Sequence, residues 1–332
     1  MKAILLTRTG DPSVLDYVDV PTPQPGPGEV LVKADTIGVS RPELLVRSGA
    51  YKWMPPLPAI PGIEMAGTVA ELGTDATGFQ LRQKVYVSAR ELPQRAGCYA
   101  EYIAVPARAL RALPPHVDLE AAACLSNYQV AWHLLHSATR SIAGQTVLID
   151  VASGGLGSAA VQLAKLAGMT TIALVGSDEK VHALKAYGAD HAINYRSDNV
   201  AARIAAITGG VGVDLVLNAV GGESLNQQAM MLAPFGLIIS YGRLQGPVSK
   251  NLLDLLDFGA AHHNSPAVRF FTMHTFDDKP EHRAQSMKHL IEHLAAGEIR
   301  PLIHARLPLK DARRAHEMLE AREVIGKILL KP

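Results

Sequence analysis

Cysteine is scarce: the 332 residues include two, Cys98 and Cys124. They form neither a pair nor a cluster with metal spacing, which excludes a disulfide framework and makes a reducing cytoplasm the expected setting. Charge of one sign is also missing. There are 32 Lys and Arg against 31 Asp and Glu, for a net charge of +1. Neither nucleic acid nor an acidic membrane is therefore an expected partner. No apolar run is long enough to span a bilayer. The opening MKAILLTRTG has only a short apolar stretch before charge and turn residues, so it reads as a first strand and not a secretory signal. Internal repeats and low-complexity segments are absent as well. What remains is a chain with 48% hydrophobic residues. It reads as soluble and globular, and at this length it favours two domains over one.

The first third is rich in strand patterns. EVLVKADTIGV alternates and is entered through the rigid PTPQPGPG. AGTVAEL, QKVYVSA and GCYAEYIAV follow with turn residues between them, as in a compact barrel-like β domain. Near Leu119 the texture changes. DLEAAACLSNYQVAWHLLHSA has helical spacing and an acidic start, and predicts a helix leading out of that domain. From Gly144 short apolar strands alternate with helices: TVLIDVA, TIALV, HAINY, VDLVLNAV and LIISYG. That order predicts an α/β fold with a parallel sheet covered by helices on both faces. The closing LIHARLPLKDARRAHEMLEAREVIGKILLKP returns to strand, helix, strand and is expected to fold back onto the first domain.

The stretch DVASGGLGSAAVQLAKLAG joins the first strand of the alternating half to its first helix. A helix start presents unpaired N–H groups and a partial positive charge. Glycines there let a phosphate approach the backbone. Gly154, Gly155, Leu156 and Gly157 are the expected pyrophosphate cradle, although the run is not a strict Gly-x-Gly-x-x-Gly. An NAD site would carry Asp or Glu at the tip of the second strand. Here Gly176 and Ser177 occupy that tip, and Lys180 follows one helical turn on. Asp178 and Glu179 sit well at a helix N-terminus. The expected cofactor is NADPH.

Together GEVLVK, RSGAY, PGIEMAGTVAELG, YAEYIAVPA, ASGGLGSAAVQLAK, EKVHALKAYGADHAINY, GVDLVLNAVGG and AREVIGKILLKP give a resemblance that covers nearly the whole chain. The sequence resembles the zinc-independent quinone oxidoreductase branch of the medium-chain dehydrogenase/reductase superfamily. The resemblance implies a GroES-like β-barrel domain over residues 1–122 and 300–332, and a Rossmann domain over 123–299. It implies that Tyr195 and Arg322 grip the 2′-phosphate with Ser177 and Lys180. Asn218, Ser240, Tyr241, Gly242 and Ser265 are expected to line the cofactor. Val130 replaces a Thr that faces the nicotinamide in the family, and Glu43 replaces an Asp.

In the zinc branch of the superfamily a Cys stands where Ser40 is, a His where Ile63 is, and a third ligand near Ser126. Catalytic zinc needs thiolate and imidazole ligands, so no metal is expected. His289 and His293 are spaced to chelate, but no third ligand accompanies them. His262 and His263 fall in a loop that could border the cleft. Without a metal, hydrogen-bond donors must stabilise the charge that develops on the substrate oxygen. Ser40, Tyr51 and Tyr128 are the candidate donors. The expected activity is NADPH-dependent reduction of quinones or other conjugated carbonyl compounds. The rivals are 2-enal or enone reduction as the main task, a low-turnover NADPH-binding protein, and a zinc alcohol dehydrogenase. AVRFFTMHTF reads as an edge strand, and the family pairs such edges, so a homodimer through Val268–His274 is expected.

Overall fold

The structure is a computed structural model that describes residues 1–261 and 264–332; His262 and His263 lie outside the described residues. It divides into two compact units, Met1–Ser126 with Ile291–Pro332, and Asn127–Leu290.

The first unit is built on a seven-stranded sheet centred on the strand Glu29–Val39. This strand pairs antiparallel with Glu64–Leu72 on one side. On the other side it pairs with Tyr102–Pro106 near its start and with Lys327–Lys331 near its end. The alternation read from the sequence holds at Lys33 and Asp35, which are exposed, while residues on both faces are buried from Thr36 to Val39. Register shifts at Leu31/Val32 and Ala34/Thr36 account for this. Such a shift interrupts the alternation, and at Gly38 the chain lies against the Ala123 oxygen and the Glu64 carboxylate, which cover that end. Val30, Val32, Ile37, Met65, Val85 and Leu330 form the centre of the unit's core. Each such burial stabilises the fold by about 1.5–3 kcal/mol.

The closing segment forms the strand Ile303–Pro308, the helix Ala312–Glu320 and the strand Lys327–Lys331. Its last strand lies between Ile303–Pro308 and Glu29–Val39. Ile328 pairs with Val39, and this antiparallel register brings Lys327 opposite Ser40.

The second unit carries a six-stranded parallel sheet. Its strands are Thr146–Ile149, Thr170–Val175, His191–Asn194, Val213–Asn218, Leu232–Ser240 and Ala267–Phe270. Counted along the chain, they lie in the order third, second, first, fourth, fifth, sixth. That is the Rossmann order, with its crevice where the order reverses, beside the first strand. The helices Gly155–Leu166, Asp178–Ala186 and Val200–Thr208 connect or follow its first three strands. The sequence predicted one helix from Leu119; the structure has two, Leu119–Ala122 and Leu125–His136. The break gives the second helix its own N-terminus, and the Ser126 N–H there donates to Glu64 Oε2 at 2.9 Å. A carboxylate on a first-turn amide is favourable. Among the described residues no helix is long and apolar enough to cross a membrane.

Candidate active site

The glycine turn opens the second unit. After Asp150 the chain passes through Val151 and enters the helix Gly155–Leu166 with Gly154 at its N-cap. Val151 has φ 50, a left-handed conformation that is costly for a β-branched residue. Such strain collects where the backbone is committed to a function. A Cβ on Gly157 would stand 2.3 Å from the Val151 carbonyl oxygen and 2.6 Å from Ala152 Cα. Gly157 is therefore required for strand and helix to pack. Around Gly154 the nearest atom to such a Cβ lies 3.5 Å away, so internal packing tolerates a side chain there. The amides of Gly155, Leu156 and Gly157 open the helix without intrahelical acceptors, as a phosphate site requires.

At the tip of the second strand, a Cβ on Gly176 would meet the Tyr195 hydroxyl at 2.7 Å. The bare backbone lets that phenol lie across the tip; Tyr195 is 48% exposed. Ser177 caps the helix Asp178–Ala186 by accepting the Lys180 N–H at 3.3 Å, which leaves its own O–H able to donate. Asp178 accepts from Asn194 Nδ2 at 2.8 Å. Burial first, then repulsion by Arg196, holds the Lys180 ammonium below its ordinary pKa. Two cations, a phenol and a serine hydroxyl thus gather at one strand tip. Arg196 was missed in the sequence, although it directly follows Tyr195.

The floor of this end is polar and braced. Asn218 Nδ2 lies 3.0 Å from Asp150 Oδ2 and 2.8 Å from Gln228 Oε1, and Gln228 Nε2 donates to Asp150 Oδ2 at 3.0 Å. Burial raises the Asp150 carboxyl to about 6, against the hydrogen bond from Gln228. Asn218 pairs in register with Ser240, and Tyr241 and Gly242 follow. A Cβ on Gly242 would stand 2.3 Å from the Ala219 oxygen. Asn218, Ser240, Tyr241 and Gly242 therefore share the carboxyl ends of the parallel strands, where open α/β sheets hold ligands. Ser265 is not brought to them. It precedes Ala267, which pairs with Leu237, and the neighbouring Asn264 oxygen accepts the Phe235 N–H at 2.7 Å. Ser265 lies toward the opposite end of the sheet.

Tyr128 and Val130 lie on the helix Leu125–His136. Tyr128 is buried, and its hydroxyl donates to Gln162 Oε1 at 2.7 Å and lies 3.2 Å from the Tyr187 hydroxyl. Val130 is half-buried. His289 stacks on Trp132 with ring centroids 5.3 Å apart, and His293 Nδ1 lies 2.6 Å from Glu298 Oε2.

In the first unit, Ser40 stands at the N-cap of the helix Arg41–Ser48 without capping it. Its oxygen instead accepts a short hydrogen bond from Lys327 Nζ. The same ammonium is 2.5 Å from Glu64 Oε1. Ser126 Oγ also donates to Glu64 Oε1 at 2.5 Å, and the Tyr86 hydroxyl to Oε2 at 3.3 Å. Glu43 is buried beside them, with Oε1 accepting the Ile63 N–H at 3.4 Å and Oε2 unpartnered. Burial pushes its carboxyl up to about 8, in spite of Lys327. Tyr51 packs on the barrel core, its ring 5.7 Å from that of Trp53. A neighbouring cavity of about 290 Å³ is lined by Trp53, Met54, Pro56, Pro93, Gln94 and Arg95. Arg322, with φ 60, lies on the turn after the helix Ala312–Glu320. Its charge, after burial, depresses the Arg41 pKa.

The positions at which a catalytic zinc would be sought do not fit one. Ser40 and Ser126 are hydroxyls bound to Lys327 and Glu64, and Ile63 offers no ligand. Burial pushes the Cys124 thiol well up, and its Sγ donates to the Glu120 oxygen at 3.4 Å, whereas zinc binds the thiolate. A buried ammonium within the set repels a second cation. No group of three or more His, Cys, Asp and Glu suited to a metal occurs among the described residues.

A barrel-type unit with a buried hydroxyl–ammonium–carboxylate cluster, joined to a Rossmann-order unit with a glycine turn, is the architecture of a nicotinamide-type oxidoreductase. The alcohol dehydrogenase GroES-like domain family matches residues 26–115, and the zinc-binding dehydrogenase family matches 155–281. A quinone oxidoreductase of Pseudomonas aeruginosa is 33% identical over 100% of this chain and 99% of its own. A 2-haloacrylate reductase of a Burkholderia species is 30% identical, over 99% and 98%. The solved structure of the Escherichia coli quinone oxidoreductase complexed with NADPH superposes with a TM-score of 0.88 at 29% identity, covering both chains fully. The chain belongs to the quinone oxidoreductase branch of the medium-chain dehydrogenase/reductase superfamily.

Proposed function

We propose that this protein is an NADPH-dependent, zinc-independent reductase of quinones or other conjugated carbonyl compounds, working in the cytoplasm as a homodimer. The second unit is the cofactor domain and the first the substrate domain. The observation that carries the reading is the tip of the second strand. Gly176 and Ser177 replace a ribose-binding acid, and Lys180 and Arg196 crowd there against mutual repulsion. A 2′-phosphate relieves that repulsion and accepts from Ser177 and Tyr195, and Arg322 is assigned to the same group. Gly154, Gly155, Leu156 and Gly157 hold the pyrophosphate, while Asn218, Ser240, Tyr241, Gly242 and Val130 line the rest. Ser265, at the other end of the sheet, is left out of that set. Bound NADPH supplies a hydride from its nicotinamide C4. Ser40 then donates a hydrogen bond to the substrate oxygen, and Tyr51 borders it. Tyr128, with its hydroxyl committed to Gln162, serves to position the helix and not as a donor. The NADPH-bound relative and the quinone and haloacrylate reductases support this reading.

The test is loss of NADPH absorbance with a simple benzoquinone and with a matched 2-enal, chelator present throughout. Turnover with NADPH well above that with NADH is expected, and the faster acceptor names the substrate class. Tight NADPH binding without turnover on either acceptor would instead indicate a binding protein, and dependence on added zinc would contradict the reading.

A further inference from the structure

Lys327 and Glu64 form an ion pair with side chains 2% and 0% exposed. A buried pair of this kind stabilises a fold little better than an apolar pair of equal volume. Its presence in a barrel of valines and isoleucines points to a use other than stability. Glu64 is saturated: Oε1 takes Lys327 and Ser126 Oγ, and Oε2 takes the Ser126 N–H and the Tyr86 hydroxyl. The carboxylate therefore cannot swing, and it fixes the ammonium. Lys327 directs a further N–H at Ser40 Oγ. Ser40 Oγ accepts that bond and makes no cap to its own helix. A serine hydroxyl has one proton to give, and the Ser40 proton has no acceptor among the described residues. Of the three side chains Ser40 is the least sealed, at 6% exposure. Burial raises the Glu43 carboxyl toward its neutral form, which weakens its pull on the ammonium. A charge-assisted bond to the oxygen of a hydroxyl makes its O–H a stronger donor.

We infer that Lys327, held by Glu64, polarises the Ser40 hydroxyl toward the oxygen on which negative charge develops, supplying at the vacant zinc-ligand positions a fixed cation that belongs to the chain. The inference rests on the reading under Proposed function. Hydride adds to the conjugated carbon, and the displaced electron pair moves to the carbonyl oxygen. That oxygen accepts from Ser40 and takes its proton from water, while Lys327 stays an ammonium throughout. Ser40 is the catalytic group; Lys327 and Glu64 are positioning residues.

Four variants test this: S40A, the double variant K327M/E64Q, their triple combination, and K327R. The double variant removes both charges together, so no lone ion is left buried. The first readout is p-nitrophenol bound to protein with NADP+, titrated through its phenolate absorbance. Wild type lowers the apparent pKa of the bound phenol by about one unit or more; S40A and K327M/E64Q lose that shift, and K327R keeps it. The second readout is NADPH turnover. S40A and K327M/E64Q each lose about 10²-fold in kcat, the size of one oxyanion donor, with KM little changed. The triple variant is no slower than S40A. A folded K327M/E64Q that keeps both kcat and the phenol shift overturns the inference, as do losses that multiply in the triple variant. If K327M/E64Q does not fold, K327R decides: retained shift supports the inference and lost shift overturns it. If wild type reduces no acceptor, the functional reading fails, and the phenol titration alone decides. A shift lost in S40A supports the inference, and no shift in wild type overturns it.

Discussion

His316 is an uncharged imidazole inside the first unit, 0% exposed, with Nε2 3.2 Å from the Tyr99 hydroxyl. Burial first, then repulsion by Arg47, lowers its pKa from 6.5 to about 3. Below pH 6.5 the unfolded chain binds a proton that the folded chain refuses until about pH 3. The stability His316 contributes at neutral pH is therefore lost as pH falls through that window. At about 1.4 kcal/mol per unit, the loss is about 2 kcal/mol at pH 5. Glu43 and Asp150 have raised pKa values and act in the opposite sense, so only a difference isolates the histidine. Urea unfolding of wild type and His316→Gln at pH 7 and pH 5 should show the gap shifting by about 2 kcal/mol in the variant's favour. A constant gap would contradict this assignment. A local motif pointed to Gly157 in its turn and to Ser177 and Lys180 at the strand tip, while Ser40 and Tyr195 were proposed through the resemblance; their roles are the expectations carried into the proposed function. Lys327 was not legible in the sequence. Its partner Glu64 lies 263 residues away, and in GKILLK it looks like the charged start of an end strand. No local pattern announces a partner brought in by strand register.

Elements were legible where periodicity alone decides them, as in the alternating strands and helices after Gly144. They were misread where a tertiary contact intervenes. The helix predicted from Leu119 is broken after Ala122, and Glu64 takes the Ser126 amide of the new first turn, while AVRFFTMHTF keeps only Ala267–Phe270 as strand before a 3₁₀ turn at Met273–Phe276. That short strand is the outer edge of the parallel sheet. Phe270, at the end of that strand, is 59% exposed. A sheet edge that carries an exposed aromatic can pair with another chain. Light scattering should return twice the 35.5 kDa chain mass, and Phe270→Asp should halve it. A wild-type monomer at tens of micromolar would remove the dimer from the account.

For the whole molecule, the change of texture near Leu119 lies a few residues before the boundary between the two units at Ser126; strand-rich and alternating segments follow different rules of burial. The proposed preference for NADPH rests on a few side chains at one strand tip. Charge-assisted hydrogen bonds to a 2′-phosphate contribute about 1.5–3 kcal/mol each, so one or two of them amount to at least about tenfold in affinity. The most direct measurement is therefore the dissociation constant of NADPH against that of NADH, by fluorescence titration of wild type and of Lys180→Ala/Arg196→Ala. The account predicts NADPH binding at least about tenfold tighter than NADH, with the preference lost in the double variant and NADH binding unchanged. Equal affinities for the two in wild type would contradict it.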